Sequence, residues 1–184
     1  MGEQVYLIVS VDTEEDNAWD LSCRRSPTVE NIRYLHKFQN LCEKYAIKPV
    51  YLCTQTIAEN SFSRAKLKRW QDAGLCDIGT HLHVWTTDGH PDGSAEAALY
   101  DCKTNYDMHK RLINTLTKKL EDTFGRKMTV FRAGRYGQNA EGIRILEESG
   151  YKVDTSVVPG HNYMQNDGGP DFSSAGLNPY FVFS

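Results

Sequence analysis

Five short apolar runs, at residues 5–11, 49–53, 75–80, 128–131 and 151–157, alternate along this chain with stretches of helical periodicity. Each run has the length of a buried β-strand. Between them, Val29, Ile32, Leu35, Phe38, Leu41 and Tyr45 recur at spacings of three and four after Ser26-Pro27, where an N-cap and a first-turn proline predict a helix start. Further helices are expected over 63–73, stopped by Gly74, over 105–124, stopped by Gly125, and over 140–149, stopped by Gly150. Residues 86–94 and 161–179 read as loops, and 180–183 are apolar again. Strand–helix alternation of this kind predicts an α/β fold with parallel strands. A full (β/α) barrel usually takes about 250 residues, so the 184 residues here predict one domain spanning 1–184 that is either a small, incomplete barrel or a fragment lacking its C-terminal strands.

Composition works mainly by exclusion. A net charge of −3 and a pI near 6.1 give no electrostatic footing for nucleic acid. The local basic cluster Arg64, Lys66, Lys68 and Arg69 reads as a solvated helix face. No run approaches the length of a membrane span, and no signal-peptide pattern opens the chain. The five cysteines are odd in number and follow no CxxC pattern, with Cys42, Cys53 and Cys76 inside apolar runs. That usage predicts a reducing compartment, hence a cytoplasmic protein. Oligomeric state has no sequence signal.

Two runs close on paired metal-competent groups, Asp12-Thr13-Glu14 and His81-Leu82-His83. Side chains two apart on a strand share a face, so each pair aims both of its groups one way. Alternation puts Thr13 and Glu15 on the other side. In parallel α/β folds the functional loops follow the strand C-termini, and residues 12–16, 81–85, 132–137 and 154–156 all fall near that end. Two imidazoles and two carboxylates suit a divalent metal with an open position, one carboxylate binding while the other takes a proton from water. The structural alternatives are a histidine pair hydrogen-bonded without metal and a solvated acidic loop.

Arg132 could grip a carboxylate bidentately or form an ordinary ion pair. Gly134 and Gly137 permit close backbone approach, so an N–H there could bind an oxyanion. Trp85 and Tyr136 are either walls for a sugar ring or core residues. Asp154 is a candidate support behind the ligands. His36, His90 and His109 read as bystanders.

In this order and spacing, SVDTEED, IGTHLHVWTT, FRAGRYG and DTSV resemble the polysaccharide deacetylases of carbohydrate esterase family 4, the NodB-homology group, and most closely its WalW-type branch. The likeness runs from about residue 5 to the end. It implies a distorted (β/α) barrel and metal-dependent removal of N- or O-acetyl groups from a carbohydrate, with Zn²⁺ the expected ion. By motif position, Asp12 would be the catalytic base and Arg132 the residue that orients it. Glu14, His81 and His83 would hold the metal, and Trp85, Arg135 and Tyr136 would meet the substrate. The family's common second histidine falls at Trp85, so His83 serves in its place. The third motif reads Ala-Gly-Arg-Tyr where proline is usual. The late histidine expected as general acid has no match, and His161 is the only histidine downstream of the third motif. Three rival readings remain. A non-catalytic carbohydrate-binding relative would keep the pocket. A facial triad for Fe(II) oxygen chemistry fits the ligands but not the strand–helix alternation. A glycosidase on paired carboxylates would leave His81 and His83 without a role.

Overall fold

A computed structural model describes residues 6–89, 100–165 and 168–182. His90 and residues 90–94 of the expected mouth loop lie outside the described residues. Five strands, β1 (Ser10–Thr13), β2 (Val50–Cys53), β3 (Asp77–Leu82), β4 (Val130–Ala133) and β5 (Val153–Asp154), form one sheet in the order β1-β2-β3-β4-β5. Every neighbouring pair is parallel. Strand order follows chain order without a reversal, as in a (β/α) barrel and unlike a doubly wound sheet. The α/β fold expected from the alternation is the fold observed.

The register sorts side chains into two layers. Tyr51, Cys53, Ile78, Leu82, Phe131 and Ala133 join Leu67, Trp70, Leu112, Ile113, Leu116, Leu120, Ile145 and Leu146 in one hydrophobic core between sheet and helices. The alternate residues, Asp12, Leu52, Gly79, His81 and Arg132, lie on the opposite face by strand parity. Space there is tight: a Cβ on Gly79 would lie 2.6 Å from Leu52 Cδ2 and 2.9 Å from the Val130 carbonyl. In a flat sheet β1 and β4 would be about 14 Å apart. Arg132 nevertheless reaches Asp12 directly, Nη1 to Oδ1, at 2.6 Å, so the sheet curls toward this face as a barrel wall does.

The helices are α1 (Leu21–Arg25), α2 (Leu35–Lys44), α3 (Gln55–Glu59), α4 (Ser61–Asp72), α5 (Tyr106–Phe124) and α6 (Ala140–Glu148). The last three match the predicted spans to within a few residues. Asn60, Asn105 and Asn139 cap them through side-chain oxygens, and Gly125 ends α5 in the left-handed conformation at φ 70°. The helix expected to open at Ser26-Pro27 does not. Its first turn is a 3-10 segment, Glu30–Tyr34, whose first free N–H groups, on Glu30 and Asn31, donate to the Asp16 carboxylate at 2.6 and 2.8 Å. The cap therefore comes from the acidic run after β1.

Three other expectations change. Of the described residues in the 5–11 run only Ser10 and Val11 belong to β1, which continues to Thr13, and Tyr6, Leu7 and Ile8 are exposed, because β1 is a sheet edge with one pairing partner. The 151–157 run pairs with β4 at two positions only. Within the 161–179 stretch expected as loop, residues 161–165 and 168–172 fold back on each other through an Asn162–Asp171 bridge and bonds such as Phe172 N–H to the His161 carbonyl at 2.8 Å. Among the described residues no helix is long and apolar enough to cross a membrane.

Candidate metal centre

His81 ends the inner face of β3 and His83 continues it one step beyond, both nearly fully buried. Each ring is held from behind. His81 Nδ1 lies 3.1 Å from the Arg132 carbonyl, an acceptor only, so Nδ1 carries the proton and Nε2 presents its lone pair. His83 Nδ1 lies 3.0 Å from Glu15 Oε2, with the same consequence. The two Nε2 atoms converge on one oxygen, Glu14 Oε2, at 3.2 and 3.1 Å. Lone pairs facing a carboxylate repel unless a proton or a cation stands between them. Glu14, His81 and His83 offer ligand atoms within 4.8 Å of one another. An oxygen and two imidazole nitrogens, with room for a further ligand, fit a divalent metal of the zinc type.

At His83 a proton can take the place of a cation. Burial alone would lower the His83 pKa, but hydrogen bonds and charge from Glu14 and Glu15 outweigh it and raise it to about 9. Burial would likewise raise both carboxylates. The His81 and His83 contacts instead hold Glu14 far below the usual carboxylate range, and His83 with the Thr56 hydroxyl holds Glu15 at about 2.

Asp12 stands beside this set on the same side of β1. Arg132 spans the curled sheet to it through Nη1, donates through Nη2 to Ser10 Oγ at 2.8 Å, and is steadied by Nε on the Thr155 carbonyl and Oγ1 at 3.2 and 3.1 Å. Asp12, Glu14, His81 and His83 together form the floor of a cavity of about 280 Å³ whose walls include Trp19, Tyr100, Arg135, Tyr136 and Tyr163.

The wall after β4 is a strained turn. Arg135 and Tyr136 both adopt positive φ, 52° and 61°, a conformation that ordinary residues hold only under tertiary constraint. Gly134 makes the turn possible, because a Cβ there would collide with the Leu82 carbonyl and lie 3.1 Å from His83 Cδ2. The turn sets the Arg135 guanidinium 4.3 Å from the centre of the Tyr100 ring and 5.6 Å from that of Trp19. Asp154 acts one step back. It accepts from Ser156 Oγ at 2.6 Å, and that hydroxyl accepts from the Ala133 N–H at 2.8 Å, pinning the end of β4.

The structure thus gathers Asp12, Glu14, His81, His83, Arg135 and Tyr136 at one cavity, with Arg132 beside Asp12 and Asp154 behind the turn. Trp85 is elsewhere. Its ring stacks on His83 at 4.3 Å and 28°, Arg24 covers it at 4.7 Å, and it faces a separate cleft with Thr56 and Thr86. The expected substrate wall at Trp85 is therefore a backing for a ligand ring, because the chain turns away from the cavity after His83. His109 is buried in α5 and His36 is exposed.

Four residues of the site escaped the sequence reading. Glu15 lies past the end of β1, where strand parity no longer applies. Trp19 follows a polar run with no periodic signal. Tyr100 precedes a 3-10 turn, and Tyr163 reaches the cavity only through the fold-back marked by the Asn162–Asp171 bridge. His161 stacks on Tyr163 at 6.0 Å, one ring removed from the cavity wall.

No protein-family model matches the chain, and no curated protein matches it in sequence. Solved structures do match. A protein from Mycobacterium smegmatis assigned to the polysaccharide deacetylases superposes with a TM-score of 0.61 at 12% identity, over 82% of this chain and 50% of that one. The fold is that of the CE4 deacetylases. BA3943 from Bacillus anthracis, a CE4 family pseudoenzyme, superposes with a TM-score of 0.52 at 15% identity, over 69% of this chain and 40% of that one. A de-N-acetylase from Aggregatibacter actinomycetemcomitans does so at 0.50 and 16% identity, over 80% and 61%. The chain therefore spans between two fifths and about three fifths of the length of these structures, and at such identities the likeness is one of fold.

Proposed function

We propose that this chain is a metal-dependent hydrolase that removes acetyl groups from a carbohydrate, a polysaccharide deacetylase of the WalW-type branch whose residues 1–184 form one catalytic domain. The observation that carries the reading is the convergence of His81 Nε2, His83 Nε2 and Glu14 Oε2 beside an arginine-held Asp12 on one cavity floor. We take the metal to be Zn²⁺. The five free cysteines support a reducing, cytoplasmic setting.

Glu14, His81 and His83 would hold the ion. When bound, it would supply Lewis acidity, lowering the pKa of a water toward about 7 and polarising an acetyl carbonyl. The remaining chemistry belongs to the chain. Asp12 takes the proton of the attacking water. Arg132 holds that carboxylate in place through its Nη1 hydrogen bond. A backbone N–H of the strained turn near Tyr136 would stabilise the oxygen that gains charge in the tetrahedral transition state. Trp19, Tyr136 and Tyr163 offer aromatic faces to a sugar ring. No described histidine lines the cavity apart from the two ligands, so Asp12, once protonated, is the group at hand to protonate the leaving nitrogen or oxygen.

The test is metal content by elemental analysis together with acetate release from acetylated chito-oligosaccharides and O-acetylated glycans. Stoichiometric metal with acetate release supports the reading. A metal-loaded protein that releases no acetate from any of them sinks it. One observation favours a second reading: Tyr163 separates His161 from the cavity, which leaves no dedicated histidine acid among the described residues. A non-catalytic carbohydrate-binding relative would then bind these glycans in calorimetry and leave their acetyl groups intact.

A further inference from the structure

We propose that Glu15, braced by Thr56, is the positioning residue that sets how tightly this centre holds a divalent metal; the inference rests on the metal-centre reading above. Glu15 is 3% exposed, and its two oxygens are divided between two partners. Oε2 lies 3.0 Å from His83 Nδ1, and Oε1 accepts the Thr56 hydroxyl at 2.8 Å. Burying a carboxylate is costly unless it is paired. Apart from His83, no cationic side chain bonds to it among the described residues. Simple packing at this position would call for a neutral side chain. The buried charge is explained by what it does to the ring in front of it.

A carboxylate behind a ligating imidazole fixes the tautomer, fixes the ring plane and raises the basicity of the far nitrogen. Here all three act on Nε2 of His83, the atom 3.1 Å from Glu14 Oε2. The plane is fixed a second time by Trp85, stacked at 4.3 Å. His81, by contrast, has only the neutral carbonyl of Arg132 behind it. The two histidines are therefore unequal ligands, and His83 is the stronger donor. Charge balance points the same way. Glu14 and Glu15 together neutralise a divalent cation, while Asp12 and Arg132 neutralise each other. The brace draws on three separate elements, since Glu15 follows β1, Thr56 lies in α3 and His83 follows β3.

The experiment is a Zn²⁺ titration of the metal-free protein against a chromogenic chelator, with folding checked by circular dichroism. Glu15→Gln is expected to weaken Zn²⁺ binding by about 10–100-fold. Glu15→Asp keeps the charge but withdraws it by one methylene, and is expected to weaken binding as well. Thr56→Val leaves the charge in place and frees the carboxylate to swing, so a smaller loss is expected. The Co²⁺-loaded form should shift its visible bands in Glu15→Gln, a change that loss of stability alone would not produce. If the parent binds Zn²⁺ and Glu15→Gln and Glu15→Asp bind it equally well, the inference is wrong while the metal centre stands. A parent that takes up no divalent metal overturns both.

Discussion

Asp12, Glu14 and Glu15 are three carboxylates within four residues, and their surroundings separate them. Asp12 faces a guanidinium, Glu14 faces two imidazole nitrogens, and Glu15 faces the back of one imidazole and a hydroxyl. In the proposed reaction, only Asp12 is free of the ligand set and still open to the cavity. Asp12→Asn should therefore keep a full complement of metal and lose about 10²–10⁴ in turnover, the usual worth of a positioned base. Metal content and acetate release measured on the same sample check this, and undiminished turnover would rule Asp12 out as the base. The sequence placed Asp12 and Glu14 on one face by strand parity. The same rule put Glu15 on the other side, because it treats the strand as continuing past Thr13. Once the chain leaves the sheet, Asp16 anchors the loop and Glu15 turns inward.

That anchor links elements. Asp16 accepts from the Thr28 hydroxyl at 2.8 Å and from the N–H groups of Glu30 and Asn31, while its own N–H donates to the Thr28 carbonyl at 2.8 Å. It thus ties the acidic run to the helical segment that follows. Asp16→Ala should cost about 1–3 kcal/mol in chemical denaturation, the worth of a cap plus the bonds lost with it, and should weaken metal binding by loosening Glu14 and Glu15. A variant of parental stability would show that the loop is held by other contacts. On α5, His109 is buried with no partner for Nε2 among the described residues, and burial lowers its pKa from 6.5 to about 4. The unfolded chain then takes up the proton first as pH falls. The His109 contribution to stability should drop between pH 6.5 and 4 and level off below, a loss of about 3 kcal/mol from this residue. His109→Leu should flatten that acid limb in melting curves recorded across the range, and an unchanged limb would exclude His109 as its source.

At the scale of the molecule, the curl of the sheet makes the site. The Asp12–Arg132 contact joins the first strand to the fourth across the inner face, with side chains 30% and 14% exposed. Arg132→Met should destabilise the protein by about 1–3 kcal/mol, between the ranges for surface and fully buried pairs. It should also speed hydrogen exchange along β1 relative to α5. Equal exchange in β1 would show that the backbone ladder alone sets the curvature.

The parallel α/β class, the three later helices with their glycine stops, and the shared faces of Asp12 with Glu14 and of His81 with His83 were all legible in the chain. They depend on periodicity and on local capping chemistry, which act over a few residues. The placement of Glu15 behind His83, of Trp85 behind the same ring, of Trp19 and Tyr163 at the cavity and of Arg132 against Asp12 was decided only by the folded molecule. Trp85 is only two positions from His83, but Glu15 and His83 are 68 apart, Asp12 and Arg132 are 120 apart, and Trp19 and Tyr163 are 144 apart in the numbering, brought together after strands have ended or loops have doubled back. No repeat distance governs them. They follow from how far the sheet bends and where each loop is tied.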